Sequence, residues 1–293
     1  MKNFIIRAIT GIFYVVAVVA CFFNTTAMMF FFGGLVMVLT IHEFCSLAND
    51  IPAVSVNSRI SAVAGAFLFF AVAGFCSNAV PSSIFIPYLF TLLYLIIAEL
   101  FLKAENPINN WAYTMLPQLY IALPLSMIAV LSFRTVPETG EVLYTPAIPL
   151  SVFIFLWCND TGAYIVGSLI GKHKLFPRVS PGKSWEGSIG GAIVVLLVAA
   201  VVGHIIENGL LNGIVPVFAR PMGMGPLQWM GLGLVVVVFG TLGDLVESLF
   251  KRTLGIKDSG SILPGHGGML DRFDSALLAF PAAVIYLYTV TLI

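Results

Sequence analysis

Charge is what this sequence has least of: only 10% of its 293 residues are Asp, Glu, Lys or Arg, and 59% are hydrophobic. An ordinary soluble domain carries roughly 25% charged residues, so a water-facing surface cannot be built from this composition. The 14 basic and 14 acidic residues cancel to a formal net charge of zero. That removes the global positive field a nucleic-acid binder uses and leaves anion recognition to local clusters. Cysteine is scarce too. The four cysteines, Cys21, Cys45, Cys76 and Cys158, sit inside apolar runs, and none forms the close pair that zinc or redox chemistry requires. They read as small buried hydrophobes. The first apolar run follows Lys2 and Arg7 as a signal peptide would, but no small-residue cleavage site follows it, so it is expected to be a retained span.

What is present is a succession of apolar runs. At about 20 residues per membrane crossing, about nine spans are expected. They fall near 4–22, 27–47, 60–76, 82–102, 112–132, 147–170, 187–206, 227–247 and 273–293. The expected fold class is therefore all-α and polytopic. Gly190-Gly191 would let helices approach closely. Residues 1–146 hold about five spans with almost continuous hydrophobicity; 147–293 carry acids within their spans and two long polar connections, 171–186 and 248–272. Positive residues mark the cytoplasmic side. Twelve of the 14 fall on the N-terminal flank or after even-numbered spans, and only Arg134 and Arg220 fall after odd-numbered ones. This places the N-terminus and both long connections in the cytoplasm, and the C-terminus outside.

Ionisable groups inside spans cost several kcal/mol and are functional candidates by default. Glu43, Glu99, Asp160, Asp244 and Glu247 qualify, all in even-numbered spans, and all but Asp160 near the inner end. For Glu43 and Glu99 the favoured reading is modest: an interfacial carboxylate reaching water, or a helix-packing hydrogen bond. Asn159-Asp160, deeper, stays divided between structure and site.

Residues 243–274 alternate acids with bases. Asp244 and Glu247 are three apart at the end of one span, and Asp271 and Asp274 are three apart at the start of the next, so each pair shares a helix face. If the helix ends meet, the carboxylates would hold a hard divalent cation such as Mg²⁺. Lys251, Arg252, Lys257 and His266 are donors suited to phosphate oxygens, and the turn Gly265-His266-Gly267-Gly268 lets backbone N–H groups approach an anion. Acids for metal and bases for phosphate make a phosphoryl-transfer set. The plainer alternatives are a positive-inside flank for the bases and a helix N-cap for Asp271. His266 would bind phosphate, act as an acid, or only shape the turn. In the other connection, Ser180-Pro-Gly-Lys-Ser-Trp-Glu-Gly187 contains Gly-Lys-Ser but is not a Walker loop, because Pro177 stands where a glycine is required and no strand-to-helix context is expected. Lys183 and Ser184 at a helix start would receive phosphate; alternatively Ser184 is an N-cap and Trp185 an interfacial anchor.

The stretch Ser248, Lys251-Arg252, Lys257-Asp258, Gly260, Leu263-Pro264, His266-Gly267-Gly268, Asp271-Arg272 and Asp274 closely resembles the signature of the phosphatidate cytidylyltransferase (CDP-diacylglycerol synthase) family. Asn159-Asp160-Thr161, Ser180–Gly187, and Gly243-Asp244 with Glu247-Ser248 resemble its upstream motifs. The likeness covers roughly the C-terminal half; residues 1–145 share only their apolar spans. The resemblance implies that CTP and phosphatidic acid are converted to CDP-diacylglycerol and pyrophosphate at the cytoplasmic face of the cell (inner) membrane. It implies Mg²⁺, with room for a second cation, and a homodimer in the bilayer; nucleic acid is not an expected partner. It implies a metal held by Asp244, Asp271 and Asp274, and catalytic roles for these with Lys257 and His266. Phosphates would meet Lys183, Ser184, Lys251, Arg252, Arg272, Gly267 and Gly268, with support from Asn159, Asp160 and Glu247. The rivals are a CTP-dependent lipid-alcohol kinase and, from another class, a secondary transporter, although no internal repeat is found and the acids lie away from the midplane.

Overall fold

Helices account for nearly all of the computed structural model, which describes residues 2–136, 139–210, 221–262 and 267–290. The order is α1 (Lys2–Asn24), α2 (Thr26–Ala48), α3 (Ser58–Cys76), a 3₁₀ turn (Ser82–Phe85) leading into α4 (Ile86–Ala98), then α5 (Pro107–Pro117), a π turn (Gln118–Ala122) and α6 (Leu123–Ser132). A two-stranded hairpin, β1 (Phe133–Thr135) and β2 (Val142–Tyr144), precedes α7 (Ala147–Ile170). A second hairpin, β3 (Lys174–Phe176) and β4 (Ser180–Ser184), precedes α8 (Trp185–Glu207), and α9 (Pro226–Thr253) and α10 (Leu270–Val290) follow. Each of the nine expected spans corresponds to helix. Among the described residues seven are long and apolar enough to cross a membrane, the stretch Pro107–Ser132 counting as one, and two shorter apolar helices are Ile9–Phe23 and Ser82–Ala98. The protein is a polytopic, all-α membrane protein.

Two boundaries differ from expectation for physical reasons. The span expected to end at 247 continues to Thr253, so Lys251 and Arg252 lie in the last turn of a 28-residue helix rather than in a loop. At 1.5 Å per residue, α9 is longer than a hydrocarbon layer of about 30 Å, and cations in a helix's last turn are favoured by its dipole. The connection 171–186 is not plain loop either, since Ser180–Ser184 pairs antiparallel with Lys174–Phe176.

Within the helices, hydroxyls buried in the apolar interior bond backward to their own backbone: Thr40 to Val36 O, Ser126 to Ala122 O, and Ser151 to Ala147 O, at 2.6–2.7 Å. The π turn has a local cause. Pro124 has no N–H to offer the carbonyl four residues back, and Leu123 N–H bonds instead to Gln118 O, five back.

The chain divides into two compact units, Met1–Leu143 with Ile256–Phe273, and Tyr144–Gly255 with Asp274–Ile293. In the first, α2 packs on α3 and α3 on α6, around Met37, Ile41, Phe44, Phe69 and Ile121. Gln118 Nε2 donates to Ser61 O and Oγ at 2.9 and 3.1 Å, a buried polar tie between helices. In the second, α8 packs on both α7 and α9, with Phe153, Phe155, Trp229 and Phe280 fully buried. Large apolar side chains such as Phe31, Phe90, Leu197 and Ile285 point outward, as expected where the solvent is lipid.

Candidate functional site

In the second unit, the first turn of α8 is set by its own sequence. Ser184 caps the helix by accepting from Gly187 N at 3.2 Å and is 5% exposed. Glu186 turns back to accept from Lys172 N and His173 N, both at 3.1 Å, and its Oε1 lies 2.5 Å from His173 Nδ1. These bonds pin the hairpin to the helix start and fix Lys183 one residue ahead of the cap. Lys183 Nζ then reaches Asp244 Oδ2 at 2.5 Å. Asp244 also accepts from Ser248 Oγ at 3.2 Å, one turn on along α9.

Asp274, in the second turn of α10, lies in electrostatic range of Asp244, Asp160 and Lys251. Its Oδ1 takes the N–H of Ser275 at 2.5 Å. On α9, Glu247 is fully buried and paired with Lys251 at 2.7 Å, the i,i+4 arrangement. Arg252 Nε reaches Val179 O at 3.5 Å. Asn159 is buried and its amide faces Thr241 Oγ1 at 3.5 Å. The structure thus gathers Lys183, Asp244, Asp274, Asp160, Glu247 and Lys251 in one unit: four carboxylates drawn from α7, α9 and α10, and two ammonium groups.

Asp271 belongs to the first unit. It is 9% exposed, and its Oδ2 accepts from Ser259 N at 2.9 Å and Gly268 N at 2.8 Å. This differs from the N-cap alternative: Asp271 lies within the first turn of α10, and its carboxylate accepts from N–H groups that precede the helix. Tyr14 in α1 donates to Arg272 O at 3.2 Å. Lys257 is exposed on the loop, Gly267 adopts a left-handed φ of 79° and Gly268 is buried; His266 lies outside the described residues.

Glu43 is the residue that sequence reasoning undervalued. It is 6% exposed and accepts from Ser259 Oγ at 2.5 Å, Met269 N at 2.9 Å and Leu270 N at 3.1 Å. The only signal for it in the sequence was its place within a span. Glu99 did what was expected of it, accepting from Asn110 Nδ2 at 3.0 Å.

The donor chemistry suits a hard cation, since Asp160, Asp244 and Asp274 offer carboxylate oxygens beside cationic groups for phosphate. Among the described residues no three His, Cys, Asp or Glu side chains stand close enough to hold a metal, and Oδ2 of Asp271 is committed to two N–H groups.

Fold and site define a class: a multi-pass membrane protein with carboxylate and ammonium groups brought together by its helices and the hairpin before α8. A sequence profile of the cytidylyltransferase family matches residues 5–290, and the chain belongs to that family. Among curated proteins it is similar to a phosphatidate cytidylyltransferase of Staphylococcus aureus (strain COL), 44% identical over 138 residues, which is 47% of this chain and 48% of the relative. Another of that name from Staphylococcus haemolyticus is 46% identical over 140 residues, 47% and 48% of the two chains. A third, from Haemophilus influenzae, is 42% identical over 152 residues, 52% and 49%. The matches span about half the length of these relatives.

Proposed function

We propose that the protein is a phosphatidate cytidylyltransferase, which transfers the cytidylyl group of CTP to phosphatidic acid and releases pyrophosphate. The observation that carries the reading is the placement of Lys183 on Asp244, with Asp274, Asp160 and Lys251 near it in the same unit. The family membership and the names of the relatives support it.

In the reaction a phosphate oxygen of the lipid attacks the α-phosphorus of CTP, a new P–O bond forms, and the bond to the bridging oxygen of pyrophosphate breaks. The nucleophile is already ionised, so the protein need supply neither a strong base nor a covalent intermediate. Its work is positioning and charge neutralisation. Lys183, Lys251 and Arg252 would neutralise phosphate oxygens, with Lys257, Arg272, His266 and the N–H groups of Gly267 and Gly268 adding donors. Ser184 would keep the Lys183 backbone in register while capping α8. Asp244 and Asp274 would hold Mg²⁺ with support from Asp160. Asp271, one turn ahead of Asp274 on α10, is the third carboxylate that the family resemblance implies. Bound there, the cation would offset the charge of the triphosphate and the leaving pyrophosphate. The charge bias of the connections supports a site facing the cytoplasm, and the homodimer implied by the family resemblance belongs to the same proposal.

The test is turnover of CTP labelled at the α-position by the purified protein in detergent, with phosphatidic acid present or absent, and with Mg²⁺ or excess chelator. Label reaching lipid only when both phosphatidic acid and Mg²⁺ are present is the expected result. Lipid labelled from the γ-position instead would make the protein a lipid kinase. Light scattering of the same preparation reads the oligomeric state.

A further inference from the structure

The N-terminal spans carry no motif, yet one of their side chains holds the signature loop. We propose that Glu43 is a positioning residue for the cytidylyl transfer, fixing Asp271 and the start of α10 through Ser259; this rests on the function proposed above. The geometry is reciprocal. Glu43 Oε1 receives Ser259 Oγ at 2.5 Å and Leu270 N at 3.1 Å, and Oε2 receives Met269 N at 2.9 Å. Ser259 in turn donates its N–H to Asp271 Oδ2 at 2.9 Å, and its Oγ accepts from Asp271 N at 3.3 Å. One carboxylate from α2 thus binds the loop at Ser259 and again at its junction with α10, and one hydroxyl passes the constraint to the aspartate.

Two glycines of the signature are explained by the same contact. A Cβ at Gly260 or at Gly268 would occupy the space of the Glu43 carboxylate. Glu43, Ser259 and Asp271 are all buried, at 6, 2 and 9% exposure, so water does not replace a bond that is lost. A buried acceptor removed from its donors leaves them unsatisfied, and the loop must shift. Displacements of about 1 Å at a reacting centre cost on the order of 10²-fold in rate.

Glu43→Gln keeps size and shape, but the amide nitrogen can only donate, so it must face a backbone N–H on one side or the other. Wild type, E43Q, S259A and the double variant would be compared for kcat and KM per folded protein, and for amide hydrogen exchange at Gly268, Met269 and Leu270. E43Q is expected to lower kcat by roughly 10- to 100-fold and to leave KM for CTP within about threefold. Exchange at the three amides should accelerate. S259A should lose less, in the same direction, and the double should be no worse than E43Q, because both act on one constraint. A residue that merely stabilised the fold would reduce the folded fraction and leave kcat per folded molecule unchanged. That result, or fully multiplicative losses in the double, overturns the proposal. If E43Q does not fold, S259A decides by the same two readouts. Wild type that labels no lipid would instead overturn the proposed function, and unchanged exchange in E43Q would then dispose of the loop-holding role by itself.

Discussion

Lys183 Nζ and Asp244 Oδ2 stand 2.5 Å apart, each side chain 27% exposed, and the pair joins the hairpin before α8 to the C-terminal half of α9. Partly exposed pairs of this kind contribute only about 0–1 kcal/mol to stability. The contact therefore gives little structural reason for the lysine, and its value should lie in the charge it presents. Lys183→Met is expected to shift the melting temperature in detergent by no more than a few degrees, while turnover of α-labelled CTP falls by roughly 100-fold or more. A variant that melts early but turns over normally per folded molecule would make the pair a structural clamp.

The Glu247–Lys251 pair should behave in the opposite way. Glu247 is fully buried and Lys251 nearly so, at 12%. Removing one partner of a buried pair leaves a charge in low dielectric at a cost of about 3–5 kcal/mol. Lys251→Met should therefore destabilise strongly, and adding Glu247→Gln should restore much of the loss. Thermal unfolding in detergent measures both. An equally unstable double variant would show that the cost comes from packing and not from charge.

Asp271→Asn separates two roles of one carboxylate. The amide oxygen can still accept from Ser259 N and Gly268 N, so the loop and the helix start should persist and the protein should fold. An amide is a far weaker ligand for a hard cation than a carboxylate. Turnover should fall below detection at Mg²⁺ concentrations that saturate the wild type. Near-normal turnover would remove Asp271 from the metal proposal and leave it as a loop-closing cap.

The spans were legible because lipid demands about 20 apolar residues per crossing, and that demand is local in sequence. Asp244 and Asp274, which the second unit brings together, stood out for a related reason, since charge inside or beside an apolar run is conspicuous. The end of α9 was misplaced because Lys251 and Arg252 look like a flank. Only their setting, with Glu247 one turn back, makes them helical. The hairpin Lys174–Phe176 with Ser180–Ser184 lacks apolar alternation and shows no strand pattern to read. Glu43 was read as an interfacial carboxylate because its partners, Ser259, Met269 and Leu270, lie more than two hundred residues away in sequence. No periodicity connects residues so distant.

Close packing of α7 on α8 rests on Gly191, where a Cβ would meet Asn159 O at 2.8 Å. That obstacle is backbone, so the helices must separate to admit a methyl group. Gly191→Ala is expected to cost about 1–3 kcal/mol, even though alanine is the better helix former by roughly 1 kcal/mol. The displaced segment includes Asn159 and adjoins Asp160, so turnover should fall as well. A variant as stable as wild type would mean that the helices have slack at this crossing.

Glu207 ends α8 with a negative charge at the dipole's negative pole, a position that ordinarily destabilises a helix. Four N–H groups reverse the balance: Met222 N at 3.2 Å, Gly223 N at 3.0 Å, Met224 N at 3.3 Å and the indole of Trp229 at 3.0 Å. Three of the donors immediately precede α9, whose N-terminus favours an anion. Trp229 is fully buried against Gly203, where a Cβ would strike the indole. Glu207→Ala would leave the indole N–H without its acceptor, at about 1–3 kcal/mol for that group alone. Residues 222–224 would lose the same anchor. The expected outcome is a lower melting temperature and faster proteolysis of the connection between α8 and α9. Turnover per folded molecule should stay near that of wild type, because the groups this carboxylate holds are Met222, Gly223, Met224 and Trp229, none of them proposed to bind substrate. A loss of turnover at unchanged stability would show that the α8–α9 connection acts on the reaction itself.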